Sequence, residues 1–260
     1  MADADFLSLP ELIVRHGREM PGATALTCEG DNLTWSRLAE AVDRVAARLK
    51  ALGIGPGDNV ATLGLPSVAH VVGLLGVLRA GACAVPLPTS VAGGALEAMI
   101  EDCAPKAVMV DEGGQKMIAP FEDRLRAHKI ALDVAADGSL PSDEKGAMRS
   151  FAPPTIGAED DFNIIYSSGT TGAPKGIVHS HGMRMRQFVR RNFNFDRSCA
   201  MLLATPLYSN TTLLPMFTAM ANSARVILMR KFDAARYLTI AETERVTHTM
   251  LVPVQYRLDT

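Results

Sequence analysis

The residues best suited to chemistry lie together between Ser167 and Gly176, in the run Ser167-Ser168-Gly169-Thr170-Thr171-Gly172-Ala173-Pro174-Lys175-Gly176. The three glycines, Gly169, Gly172 and Gly176, predict positive φ and close backbone approach to a ligand. Successive N–H groups in such a turn form a concavity that binds anions. The hydroxyls of Ser167, Ser168, Thr170 and Thr171 add donors along it, and Lys175 adds a mobile positive charge. Glycine, hydroxyl and lysine in this order point to phosphate. A P-loop is excluded, because it requires glycine before the lysine and Ser or Thr after it; Pro174 and Gly176 stand there instead. A merely flexible surface loop is the alternative that composition alone allows.

A second candidate is Pro206-Leu207-Tyr208-Ser209-Asn210, which follows the apolar run Ala200 to Ala204. That places Tyr208, Ser209 and Asn210 at the carboxyl end of a strand, where open α/β sheets bind ligands. Packing is the competing role for Tyr208. His179 and His181 flank Ser180, yet no cysteine or carboxylate cluster completes a metal site around them, so no metal ligand is assigned. They are expected at a strand end and a helix start. Arg184, Arg186, Arg190 and Arg191 suggest a solvated helix face in preference to a phosphate contact.

The elements that must position these residues alternate. Expected helices begin near Leu9, at Ser36 as a cap, and over Ser67–Arg79, Gly94–Asp102, Lys116–His128, Gly182–Arg191, Thr212–Ala221 and Asp233–Glu244. Expected strands cover Thr24–Cys28, Asn32–Thr34, Val60–Leu63, Ala82–Val85, Ala107–Val110, Lys129–Val134, Phe162–Tyr166, Ile177–His179, Ala200–Ala204, Arg225–Met229 and His248–Val252. Strands separated by helices of this length predict an α/β fold with parallel sheets flanked by helices, plus a small β element near the amino terminus. Residues 135–157 are polar and proline-bearing, and are expected to be an exposed linker. They would divide a first α/β lobe, residues 1–134, from a second, residues 158–260. Pro253 looks like a helix start with little chain after it, which suggests a chain that ends inside an element.

Bulk properties set limits. The chain has 260 residues, 48% hydrophobic and 21% charged, with 26 Lys plus Arg against 28 Asp plus Glu. This near balance does not select for nucleic acid or an anionic membrane. Val68 to Leu87 imitates a membrane span, but His70, Arg79 and the turn at Gly81 fit a buried helix running into a strand. Cys28, Cys83, Cys103 and Cys199 are too scattered for a metal site or a disulfide framework, and predict buried thiols in a reducing compartment. The amino terminus lacks a basic n-region followed by an apolar stretch, so it is not a signal peptide. A cytoplasmic location is the expectation.

YSSGTTGAPKGIVHSH, from Tyr166 to His181, resembles the signature phosphate loop of the adenylate-forming superfamily, which includes acyl-CoA synthetases, luciferases and peptide-synthetase adenylation domains. The resemblance extends to TWSRLAEAVDRVAARLKALGIGPGDNVA, ATPLYSNTTLLP and KFDAARYLTIAETERVTHTMLVP. It implies ATP-dependent activation of a small-molecule carboxylic acid to an acyl-adenylate, then transfer to a thiol, commonly coenzyme A. Ser167, Ser168, Thr170, Thr171 and Lys175 would hold the ATP phosphates, Gly169, Gly172 and Gly176 would shape the loop, and Mg2+ would share the charge. Many acyl-CoA synthetases have histidine where Ser209 stands, which removes any role tied to that histidine. Amino-acid-activating relatives place an aspartate near this segment, and ATPLYSNTT has none, so a plain carboxylic acid is implied. The family's tyrosine-glycine-x-threonine-glutamate motif, ribose-binding aspartate and adenylation lysine are absent here. By that resemblance the chain is the front of a large amino-terminal domain, lacking the carboxyl-terminal domain and inactive alone. A non-catalytic binding module, or transfer to a carrier-protein thiol, are the other readings.

Overall fold

The computed structural model describes residues 6–91, 93–132, 151–167, 175–190 and 192–257. Helix α1 (Leu9–Glu19) starts where Ser8 donates its N–H and its hydroxyl to Glu11 Oε2, at 2.7 and 2.8 Å. This satisfies groups that a helix start leaves open. Strands β1 (Thr24–Cys28) and β2 (Asp31–Thr34) form the expected amino-terminal β element. Helix α2 (Trp35–Ala51) is capped by Thr34, whose Oγ1 accepts from Arg37 N, and not by Ser36. The Ser36 hydroxyl instead donates to Pro21 O at 2.9 Å. Leu38, Ala41, Val42, Val45 and Leu49 form the buried stripe that the spacing predicts.

After β3 (Asn59–Leu63), helix α3 (Val68–Arg79) is buried on every face. Its membrane-like sequence therefore belongs to a core helix. Its one cation is matched, with Arg79 Nε 2.7 Å from Asp43 Oδ1. Gly81, at φ +78°, turns the chain into β4 (Cys83–Pro86). Among the described residues no helix is long and apolar enough to cross a membrane.

The chain continues through α4 (Gly93–Cys103), β5 (Ala107–Val110), α5 (Glu112–Ile118) and β6 (His128–Ala131). The single helix expected over Lys116–His128 is not formed. Asp111 Oδ1 accepts from Gly114 N at 2.7 Å and starts α5 earlier, and a 3-10 segment, Ala119–Arg124, follows it. Pro120, which has no N–H to donate, lies at the start of that segment. Then come β7 (Asp161–Ser167), β8 (Lys175–Ser180), α6 (His181–Val189), β9 (Ala200–Leu203), α7 (Asn210–Ala221), β10 (Arg225–Leu228), α8 (Ala234–Thr243) and β11 (His248–Met250). Only a 3-10 turn, Gln255–Arg257, follows Pro253 among the described residues.

Two sheets result, both mostly parallel and flanked by helices. One has the order β6-β5-β3-β4-β7-β8, the other β11-β9-β10-β1-β2. Only β8 in the first and β2 in the second run antiparallel to their neighbours. Strand pairing crosses the stretch 135–157 in both sheets. β1 leaves the early half to pair with β10, with Leu26 opposite Val226, and β7 joins β4, with Ala84 opposite Asn163. One core unites the sheets, running from Leu26 and Val226 through α2 and α3 to Ala84 and Phe162. Most of the expected linker lies outside the described residues, and its end is not simply exposed. Ala152 O accepts from Lys50 Nζ at 3.1 Å, and Ile156 is buried. All four cysteines are free and buried; burial pushes Cys28 up to about 11, and Cys83 and Cys103 up to about 12. Such thiols are inert nucleophiles at neutral pH.

Candidate phosphate and acid site

β7 and β8 form an antiparallel hairpin whose last described pair is Ser167 opposite Lys175. The intervening residues, including the expected phosphate ligands Ser168, Gly169, Thr170, Thr171 and Gly172, lie outside the described residues. What the structure places is the frame. β7 enters from the interior of the sheet, beside β4, so the loop leaves at the carboxyl edge of a parallel array. Lys175 is exposed at the start of β8.

Two local features hold the frame. Tyr166 donates its hydroxyl to Asp102 Oδ2 at 2.6 Å and to Met99 O at 3.1 Å, tying the end of β7 to α4. Burial, and then the Asp102 carboxylate, pushes this phenol up. Gly176 serves differently from expectation: it is absent from the positive-φ glycines and sits in an extended strand. A Cβ there would lie 2.8 Å from Ile164 Cγ2 and 3.4 Å from the Tyr166 ring. Glycine is needed for close approach across the hairpin, not for a left-handed turn.

The second motif arrives at the carboxyl end of β9, in the other sheet. The hydroxyls of Thr205 and Thr212 meet at 2.6 Å and close the segment at its base. Tyr208 is half-buried, and its hydroxyl lies 3.2 Å from Ser90 Oγ, in the segment that follows β4. Ser209 caps α7, accepting from Thr211 N at 3.2 Å. Serine is among the residues that best cap a helix start, which gives Ser209 a local structural role. Asn210, the first residue of α7, is exposed, and its Oδ1 accepts from Arg184 Nη1 at 2.9 Å.

Arg184 corrects the expectation of a solvated basic face. Arg186 and Arg190 are exposed, and Arg191 lies outside the described residues, but Arg184 is 0% exposed. Its Nε and Nη2 donate to Asn163 Oδ1 at 3.1 and 3.0 Å, and its Nη1 also reaches Gln187 Oε1 at 3.1 Å. Burial pushes the guanidinium down to about 10, which leaves it charged at neutral pH. It lies one helical turn from Ser180 in an exposed-looking run, so only its apolar neighbours Phe188 and Phe162 could have hinted at burial; the sequence reading missed Ser90 and the Tyr166 anchor as well.

His179 is the next-to-last residue of β8, close to the expected strand end, and His181 opens α6, as expected. Burial pushes His181 down to about 4; Asp160 and Glu11 oppose that more weakly. Both of its ring nitrogens are buried without a partner, and the ring packs edge-on to Phe162 at 4.9 Å. Among the described residues no group of three or more His, Cys, Asp or Glu could hold a metal ion.

The family described as AMP-binding enzyme matches residues 13–258. The indoleacetate–CoA ligase of Aromatoleum aromaticum is 32% identical over 259 residues, covering 97% of this chain and 51% of the relative. A feruloyl-CoA synthase from an Amycolatopsis species is 32% identical over 251 residues, covering 94% of this chain and 48% of the relative. Among solved structures, the inhibitor-bound amino-terminal domain of FACL13 from Mycobacterium tuberculosis aligns with a TM-score of 0.82 at 25% identity, over 96% of this chain and 64% of that one. The chain thus spans about half the length of these curated relatives. With its two mostly parallel sheets, this chain belongs to the AMP-binding enzyme family of adenylate-forming enzymes.

Proposed function

We propose that this chain carries the phosphate loop and part of the acid-binding segment of an acyl-CoA synthetase. The observation that supports it best is the convergence of two carboxyl edges. The loop frame leaves one sheet beside β4, and Tyr208 leaves the other and reaches Ser90, just past β4. In the reaction, a carboxylate attacks the α-phosphorus of ATP, an acyl-adenylate forms and pyrophosphate departs; the thiol of coenzyme A then takes the acyl group and AMP leaves. Ser167, Ser168, Thr170, Thr171 and Lys175 would bind the phosphates and the departing pyrophosphate, with Gly169, Gly172 and Gly176 shaping the chain around them. Preorganised N–H, hydroxyl and ammonium donors stabilise the charge that builds on phosphate oxygens in such a transfer. A magnesium ion bound with the nucleotide would neutralise phosphate charge; the described residues offer it no cluster of ligands. Tyr208, Ser209 and Asn210 would border the acid. Relatives named as CoA ligase and CoA synthase, each 32% identical, support coenzyme A as the acceptor; a carrier-protein thiol is the second reading.

The test is acid-dependent exchange of labelled pyrophosphate into ATP by the full-length protein, over a panel of indoleacetate, ferulate and octanoate. Exchange with at least one acid, followed by thioester formation when coenzyme A is added, is the expected result. No exchange with any of the three sinks the proposal.

A further inference from the structure

Arg184 has no part in the phosphate chemistry, and its surroundings are unusual for a cation. It is fully buried, and its hydrogen bonds go to three neutral amides, those of Asn163, Gln187 and Asn210. Among the described residues no carboxylate pairs with it, whereas Arg79, the other buried arginine, is matched by Asp43 at 2.7 Å. A buried charge without a counter-charge is unfavourable, even when hydrogen-bonded. An anion docking nearby would relieve that cost.

The hydrogen bonds also fix where such an anion would be met. Arg184 occupies the oxygens of both asparagine side chains, so each turns its NH2 group away from the guanidinium. Asn163 Nδ2 is buried with no partner. Asn210 Nδ2 has no partner among the described residues either, and Asn210 is exposed directly after Tyr208 and Ser209. An amide whose oxygen accepts from a cation is a stronger donor at its nitrogen, because linked hydrogen bonds polarise one another. Geometry and charge agree at this point.

We propose that Arg184 is a positioning residue for the substrate carboxylate: it holds Asn210 by its oxygen and presents the Asn210 Nδ2 donors, backed by an unmatched positive charge, to the anionic acid. The proposal rests on the adenylation reading and names the part of the acid that this segment would recognise. A plain staple joining β7, α6 and α7 would use the same bonds, but it would not distinguish a charged ligand from a neutral one.

The full-length protein is tested as wild type, Arg184→Met, Arg184→Lys and Asn210→Leu. Binding is measured for whichever acid of the panel the wild type holds most tightly, and for the primary amide of that acid. Arg184→Met is expected to weaken the acid by about tenfold, the scale of a lost hydrogen bond linked to charge, and to leave the amide within about twofold. Arg184→Lys, which keeps the charge, should recover part of the loss. Asn210→Leu should match Arg184→Met, with little further loss in the double variant. Should Arg184→Met not fold, Arg184→Lys and Asn210→Leu carry the same comparison. Equal weakening of acid and amide, or acid binding unchanged in every variant, overturns the proposal while pyrophosphate exchange still stands. If the wild type binds and exchanges with no acid of the panel, the adenylation reading falls, and the proposal with it.

Discussion

Ser90 Oγ and the Tyr208 hydroxyl lie 3.2 Å apart although 118 residues separate them in the chain. Each follows a strand at the carboxyl edge of a different sheet, so this contact marks where the two edges meet. Its energy is small because Ser90 is exposed. Tyr208→Phe should therefore lower the unfolding free energy by no more than about 1 kcal/mol in urea titration. A raised KM for the acid, with KM for ATP unchanged, would place the phenol beside the acid; unchanged constants would leave it as packing alone.

Lys175 is exposed, so stability has little stake in it. Lys175→Ala should change the unfolding free energy by less than about 0.5 kcal/mol. The same change should cut kcat/KM for pyrophosphate exchange by roughly 10–100-fold, the worth of a charged hydrogen bond to phosphate. Wild-type exchange in this variant would remove Lys175 from the phosphate site.

Gly176 is held by steric necessity. Gly176→Ala places a methyl 2.8 Å from Ile164 Cγ2, and overpacking of this kind costs about 1–3 kcal/mol. Ile164→Ala should relieve the clash, so the double variant should be more stable than the sum of the two single losses predicts. Additive losses would show that Ile164 is not what the added methyl meets.

Ser209 should prove a cap before anything else. Ser209→Ala removes the acceptor of Thr211 N and should cost about 1 kcal/mol, whereas Ser209→Asp should retain most of the stability. Equal losses from both would deny the capping role.

Acid sensitivity should trace to buried histidines. Burial pushes His70 and His181 down to about 4 from an ordinary value near 6.5. His70 donates from Nδ1 to Leu65 O at 3.3 Å, and its Nε2 lies 2.9 Å from the Thr62 hydroxyl, so both ring nitrogens are satisfied while the ring is neutral. Between these two pH values the unfolded chain binds more protons than the folded one. Stability is therefore complete above about pH 6.5 and falls as pH drops toward 4, by on the order of 3 kcal/mol per histidine. His181→Leu removes two unpartnered ring nitrogens and should flatten part of that slope in urea titrations at pH 5 and 7. A slope as steep as wild type would acquit His181.

The sequence by itself determined the alternation of strands and helices, most element positions, and the glycine-, hydroxyl- and lysine-bearing run whose resemblance pointed to the family. These are local signals: apolar spacing, caps, and glycine with hydroxyls and lysine inside a short run. Even locally, competition between neighbouring caps misled at Thr34 and Ser36, where two hydroxyls could serve one helix start. Only the tertiary structure decided that β1 pairs with β10 and β7 with β4, that Arg184 is buried among amides, and that Gly176 is glycine for lack of room. The physical reason is range. Spacing along a chain reports which face of an element is apolar, but which distant element covers that face depends on how every other segment packs at once.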